Sequence, residues 1–324
     1  MSLPRRPGMT LPLPGHLHTH RERLNELADL GYTDVWSAES DSTDGFTPLA
    51  LAAAWEPRLR LGTAIIPAFT RAPAVMAQCV GSLADAAPGR FAFGIGTSSS
   101  VIVERWNGVP FVDPYKRVRD MVRFLRLAFT GEKISQRFET FEVQGFRLGV
   151  SPDPPPKILI AALREGMLRL AGREGDGAII NWLAPEDVPR VVRIVNNEGD
   201  DKEIVCRIFV CPSEDSNTVR QAGKFAIAAY LNVPVYAAFH DWLGRGDVLR
   251  PMWDAWQGGD RKGALAAIPD SLVDELIVHG SPAACRARIK QYFDNGVTTS
   301  SLAIMPLAPI DYWQAVRDLS PSAG

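Results

Sequence analysis

Leu61-Gly62-Thr63-Ala64-Ile65-Ile66-Pro67, a Pro-led segment from Pro73, and Gly89-Arg90-Phe91-Ala92-Phe93-Gly94-Ile95-Gly96-Thr97 decide the fold. The two apolar runs read as buried strands and the segment between them as a crossover helix. Together they make a parallel βαβ unit that ends in a glycine-lined loop. In barrels and open sheets alike, binding residues collect in the crevice beyond the carboxyl ends of parallel strands.

Outward from this unit, strand and helix signals alternate almost throughout. Upstream, Met9 to Leu13 reads as a strand, and Arg21 to Leu30 as a helix with Leu24, Leu27 and Leu30 on one face. Gly31 stops that helix, and a strand at Thr33 to Ser37 and a helix at Pro48 to Trp55 follow. Arg60 to Ile66 and Phe91 to Ile95 are then the third and fourth strands, around a helix from Pro73 to Ala87. The helix from about Pro114 to Phe129 carries Val118, Met121, Val122, Leu125 and Phe129 at helical spacing. Lys157 to Ala161, Gly177 to Trp182, Ile204 to Cys211 and Ser300 to Met305 supply four more strands. Their helices are expected at Glu165 to Gly172, Pro185 to Asn196, Ser281 to Asn295 and Ile310 to Leu319.

Eight strands alternating with helices favour an α/β fold of the (β/α)8 TIM-barrel type over a doubly wound sheet. A single domain over residues 1–324 is expected, with an irregular insertion at about 130–156 after strand 4. A second insertion, helical in pattern and too long for one crossover, is expected at about 216–279 after strand 7.

Bulk properties exclude several classes. At 324 residues and 46% hydrophobic composition the chain can bury a large core. A formal charge of −2 offers no footprint for nucleic acid, and no Lys/Arg run suggests an anionic membrane surface. No apolar run approaches a bilayer span, and the Pro-rich, His-containing N-terminus lacks a signal-peptide core, so a cytoplasmic location is expected. Cys79, Cys206, Cys211 and Cys285 form no CxxC pair and read as buried free thiols.

Five motifs stand in a distinctive order: Gly31-Tyr32-Thr33-Asp34-Val35-Trp36-Ser37-Ala38-Glu39, Leu61-Gly62-Thr63-Ala64-Ile65, Arg71-Ala72-Pro73-Ala74-Val75-Met76-Ala77-Gln78, Gly89-Arg90-Phe91-Ala92-Phe93-Gly94-Ile95-Gly96 and Gly172-Arg173-Glu174-Gly175-Asp176-Gly177-Ala178-Ile179. From about Met9 to Leu307 the chain resembles the bacterial luciferase-like flavin enzymes. More closely, it resembles the branch that uses 8-hydroxy-5-deazaflavin, coenzyme F-420.

The resemblance implies a ring system held at the carboxyl end of the barrel. It also implies a non-prolyl cis peptide at the end of the third strand, by position Ala64–Ile65, forming a bulge behind the central ring. Ala161, Ala162, Leu163, Arg164, Gly166 and Met167 fall where the family places its phosphate-binding strand-to-helix turn, and free N–H groups at a helix start suit an anion. Leu163 and Arg164 depart from the Gly-rich version of that turn. Gly96 and Thr97 open a loop that offers close backbone approach and hydroxyls for cofactor edges.

Glu39 matches an acidic position that lies near the flavin in related enzymes, which makes it the catalytic candidate. Ser40 follows where several deazaflavin dehydrogenases carry histidine, so sugar-phosphate dehydrogenase chemistry is not carried over. Arg105 and Trp106 after the fourth strand are candidate substrate contacts. Trp182 at the end of the sixth strand is either an aromatic wall for the cofactor or barrel-rim packing.

The function implied is hydride transfer between coenzyme F-420 and an unidentified small-molecule substrate. FMN in its place would imply a monooxygenase that uses O₂. Gly15-His16-Leu17-His18-Thr19-His20 raises a metal-dependent hydrolase as a rival, but only His240 and His279 remain as further histidine ligands, so no metal is expected. A barrel that binds ligand without turnover is a third reading. Neither nucleic acid nor membrane is expected as a partner, and a homodimer is compatible with the sequence.

Overall fold

Eight parallel strands close on themselves in the computed structural model, which describes residues 3–323. They are β1 (Gly8–Leu11), β2 (Asp34–Ser37), β3 (Arg60–Thr63), β4 (Phe91–Gly96), β5 (Lys157–Ala161), β6 (Gly177–Asn181), β7 (Glu203–Cys211) and β8 (Thr299–Ile304). Each pairs with its neighbours in chain order. β8 closes the ring by pairing with β7 at Val205↔Thr299 and with β1 at Met9↔Leu302. The crossovers carry α1 (Arg21–Asp29), α2 (Thr47–Trp55), α3 (Pro73–Ala86), α4 (Pro114–Ala128), α5 (Glu165–Glu174) and α6 (Val188–Asn196). This is a (β/α)8 TIM barrel.

Alternation along a strand divides its residues between two cores. In β4, Phe91, Phe93 and Ile95 face the helices, whereas Ala92 joins Trp36, Leu159, Ile179 and Val205 inside the barrel. The indole of Trp36 fills so much of that interior that a Cβ at Gly62 would collide with its ring carbons, and a Cβ at Gly94 would collide with the Thr63 carbonyl oxygen. Glycine is therefore required at both positions. Outside, α4 buries Val118, Met121, Val122 and Leu125, each contributing roughly 1.5–3 kcal/mol. Its opposite face presents Arg123 and Arg126, which bond Glu174 of α5.

An ionic cluster closes the amino-terminal floor. Arg60 bonds Asp34 at 3.1 Å and Glu203 at 2.6 and 2.9 Å, and the Thr299 hydroxyl donates to Glu203 at 2.9 Å. Four strands are tied together below Trp36, so the open end is the carboxyl one.

Two local features depart from the expected pattern, while the cis peptide implied by the resemblance is present. The third strand stops at Thr63, and Ile66–Pro67 resumes pairing with β4 only after Ala64 and Ile65 have bulged away. The Ala64–Ile65 peptide bond is cis. The segment at 130–156 is not irregular: Ile134–Arg137 and Glu142–Phe146 form an antiparallel hairpin, whose Phe138 and Phe141 pack edge-on against Phe124 of α4. Its polar outer face, with Gln136, Glu142 and Gln144, conceals the strand signal in the sequence.

The stretch after β7 resolves into α7 (Ser216–Leu231), α8 (Pro234–Trp242), α9 (Gly246–Gln257), α10 (Arg261–Ala266) and α11 (Asp270–Leu276). A short strand, Val278–His279, then pairs with β7, before α12 (Pro282–Asp294) and α13 (Tyr312–Asp318) complete the fold. Among the described residues no helix is long and apolar enough to cross a membrane.

Candidate active site

A cavity of about 730 Å³ opens at the carboxyl ends of the strands. A smaller one of about 340 Å³ lies at the opposite end, where its Arg60 and Glu203 are already paired with each other. The larger cavity therefore holds the chemistry that is free to act.

Its floor is made by the ends of β3, β4 and β5. Ala64, Ile65 and Ala161 line it, and Gly96 lies beneath them. A Cβ at Gly96 would stand 2.8 Å from the Cβ of Ala161 and 3.2 Å from Ile65. The floor is thus a surface of small groups with a single raised ridge at the Ala64–Ile65 bulge. That ridge is tied to β2, because the Glu39 N–H donates to the Ile65 carbonyl at 3.1 Å and the Ala64 N–H to the Ser37 carbonyl at 2.6 Å.

Glu39 and Ser40 line the cavity beside the ridge. The Glu39 carboxylate takes a 2.5 Å hydrogen bond from Arg71, whose guanidinium also lies 5.0 Å from the Phe46 ring centroid. Burial disfavours the charge on Arg71, but the bond to Glu39 outweighs it and holds the guanidinium above its ordinary value. Ser40 is exposed and donates to Asp41 at 3.1 Å.

The β5–α5 turn forms the next wall. Ala161, Ala162, Leu163, Arg164, Gly166 and Met167 all line the cavity. Arg164 is the extended N-cap of α5 and makes no side-chain cap, which leaves the first-turn N–H groups free to face an anion. The one acid of that turn, Glu165, is drawn off by Arg169 at 2.7 Å. Thr97, Ser98 and Ser99 complete this side, with Ser98 held at a φ of 61°.

Three groups of candidates stand elsewhere. Val101–Trp106 forms a π-helical turn that brings Ile102 to the cavity and leaves Arg105 exposed and Trp106 55% exposed, outside its lining. Trp182, at a φ of 53°, is turned behind the wall and only 1% exposed. It stacks on Phe209 at 4.1 Å and supports Tyr230 at 4.9 Å, so it acts as packing under the rim. His16 and His18 stack on each other after β1, and among the described residues no group of three His, Cys, Asp or Glu side chains could hold a metal.

The far wall consists of residues that the motif reading passed over. Asn181 of β6, Arg207 of β7, and Tyr230 and Tyr236 from the inserted helices line the cavity. The Asn181 amide donates to the Tyr236 hydroxyl at 3.1 Å. Burial pushes the Tyr236 phenol above its ordinary value, which keeps it protonated at neutral pH. One signal was present in the sequence: Arg207 is the only charged residue within the apolar run Ile204 to Cys211. The insertion at 130–156 contributes nothing to this lining, whereas α7 and α8 roof it.

Residues 1–299 match the luciferase-like monooxygenase family model. The chain is similar to a 5,10-methylenetetrahydromethanopterin reductase of Methanolobus tindarius, 27% identical over 292 residues that cover 86% of this chain and 87% of the relative. Among solved structures, the coenzyme F-420-dependent tetrahydromethanopterin reductase of Methanopyrus kandleri superposes with a TM-score of 0.81 at 17% identity, covering 98% of both chains. The oxygenating constituent of the 3,6-diketocamphane monooxygenase of Pseudomonas putida, in complex with FMN, superposes with a TM-score of 0.70 at 15% identity, covering 99% of this chain and 98% of that one. At these identities the two structures show the shared barrel.

Proposed function

The chain belongs to the luciferase-like monooxygenase family, and from that premise we propose that it is a coenzyme F-420-dependent oxidoreductase acting on a small organic substrate. The cavity floor carries this reading. Ala64, Ile65 and Ala161 line an apolar floor, packed closely over Gly96, and that floor leads to the uncapped first turn of α5. These residues fit a planar tricyclic group with a phosphate-bearing tail.

When bound, coenzyme F-420 supplies a hydride donor or acceptor at ring position five, and FMN would add reactivity toward O₂. The protein supplies position and environment. Ala64 and Ile65 would support the ring from below, Thr97 and Ser98 offer hydroxyls to its polar edge, and the amides of Glu165, Gly166 and Met167 would take the phosphate. Glu39, fixed by Arg71, is the carboxylate placed beside the floor. The neutral Tyr236 hydroxyl is a second polar group placed to orient substrate. Helices α7 and α8 limit water from above.

The experiment that tests the proposal is fluorescence titration of the purified protein with coenzyme F-420 and, separately, with FMN. Tighter binding of the deazaflavin supports it. Tighter binding of FMN would transfer the chain to oxygen chemistry on the same floor.

A further inference from the structure

Arg207 lies at one level of the barrel, in register with Asn181 on β6 and with Ser301 on β8. Its side chain faces the cavity, on the far side of the ring of strands from the β3 ridge. Other arginines withdrawn from solvent have an anionic or carbonyl partner in the protein. Arg60 holds Glu203, Arg71 holds Glu39, Arg245 holds Asp187 at 2.9 Å, and Arg117 donates to the Ala68 carbonyl at 3.0 Å. Arg207 forms no ion pair and donates no hydrogen bond among the described residues, and its buried Nε has no partner. The Phe209 ring centroid lies 5.2 Å from its guanidinium carbon.

A guanidinium withdrawn from water without an anion is costly. The carboxylates that line the same cavity cannot relieve it, because Glu39 is held by Arg71 and Glu165 by Arg169. Beside Arg207 stand an amide and a hydroxyl that are bonded to each other, Asn181 and Tyr236, and the Tyr230 ring, which Trp182 and the buried Phe209 support from behind. A fixed cation, neutral polar groups and apolar rings are the components of a carboxylate-binding subsite.

We infer that Arg207 determines substrate specificity and that the substrate is a small carboxylic acid whose carboxylate binds its guanidinium across the cavity from the ridge. This deepens the oxidoreductase reading and rests on it for the identity of the cavity. Asn181 and Tyr236 flank the carboxylate, and the Tyr230 ring covers the apolar part of the acid.

Benzoate and its neutral isostere benzamide test the inference by calorimetry on the protein saturated with coenzyme F-420 and on the cofactor-free protein. Benzoate is expected to bind with at least tenfold preference over benzamide. Arg207→Gln should abolish the preference and Arg207→Lys restore part of it, with unchanged melting temperature and cofactor affinity as the control for folding. Equal binding of both probes by the wild type, or benzoate binding that Arg207→Gln leaves intact, would overturn the inference. So would loss of cofactor affinity in Arg207→Gln with benzoate binding retained, since the cation would then serve the cofactor. If the wild type binds benzoate selectively but never binds coenzyme F-420, the cofactor reading fails while the subsite stands.

Discussion

The backbone N–H of Glu39 donates to the carbonyl of Ile65 at 3.1 Å, so the carboxylate that follows β2 and the ridge that follows β3 form one mechanical unit. Arg71 holds the same carboxylate from the other side at 2.5 Å, with both side chains less than a fifth exposed. Such a pair is expected to be coupled. Urea unfolding of Glu39→Gln, Arg71→Met and the double variant should give an interaction energy of about 1 kcal/mol or more. Additive losses would show that the carboxylate is not positioned by Arg71.

The barrel interior predicts an asymmetry between two glycines. A Cβ at Gly94 would strike the Thr63 carbonyl oxygen and the Ile179 side chain, whereas a Cβ at Gly166 meets nothing within 4 Å. Gly94→Ala should therefore destabilise the protein by about 1–3 kcal/mol or more. Gly166→Ala should be neutral or stabilise by a few tenths to about 1 kcal/mol. Comparable melting temperatures for the two variants would mean that the Trp36-filled interior is looser than the packing indicates.

Acid stability should depend on the barrel floor. Burial works to raise the Glu203 carboxyl, but Arg60 and the Thr299 hydroxyl outweigh it and hold the group below the ordinary 4.5. A carboxyl depressed by folding stabilises the protein above its unfolded value, and that stability is lost as the pH falls through the folded value. Asp34 opposes this, because burial raises it despite Arg60. Its contribution weakens as the pH rises above 3.8. Glu203→Gln should cost about 3–5 kcal/mol at neutral pH and flatten the loss of melting temperature from about pH 5 to about pH 3. An unchanged slope would assign acid sensitivity to other carboxyls.

Much of the barrel was legible in the sequence because its strands are short apolar runs bounded by glycine and proline, as at Arg60 to Thr63 and Phe91 to Gly96. The floor cluster was not, since Arg60 and Glu203 lie 143 residues apart and meet only when the ring closes. Within the cavity, the β5–α5 turn and the ridge residues followed from the resemblance and do stand together. Trp182 and Arg105 illustrate a limit of motif reading. Each follows a strand end, but the left-handed backbone at Trp182 and the π-helical turn around Arg105 direct these side chains away from the cavity. Arg207 shows the converse: a charge inside an apolar strand is a local signal, but which way it faces depends on a register set by β6 and β8.

The central claim is that coenzyme F-420 lies on the floor of Ala64, Ile65 and Ala161 with its phosphate at the first turn of α5. Gly166→Asp tests this directly, because an acidic residue in a helix's first turn favours folding and the position has room for it, yet its charge would oppose a bound phosphate. Paired fluorescence titrations of wild type and Gly166→Asp with coenzyme F-420 and with FMN are the measurement. The account predicts that the wild type prefers coenzyme F-420 and that the variant keeps its melting temperature but binds at least tenfold more weakly, about 1.4 kcal/mol. Preference for FMN, or a variant that binds coenzyme F-420 as tightly as the wild type, would contradict it.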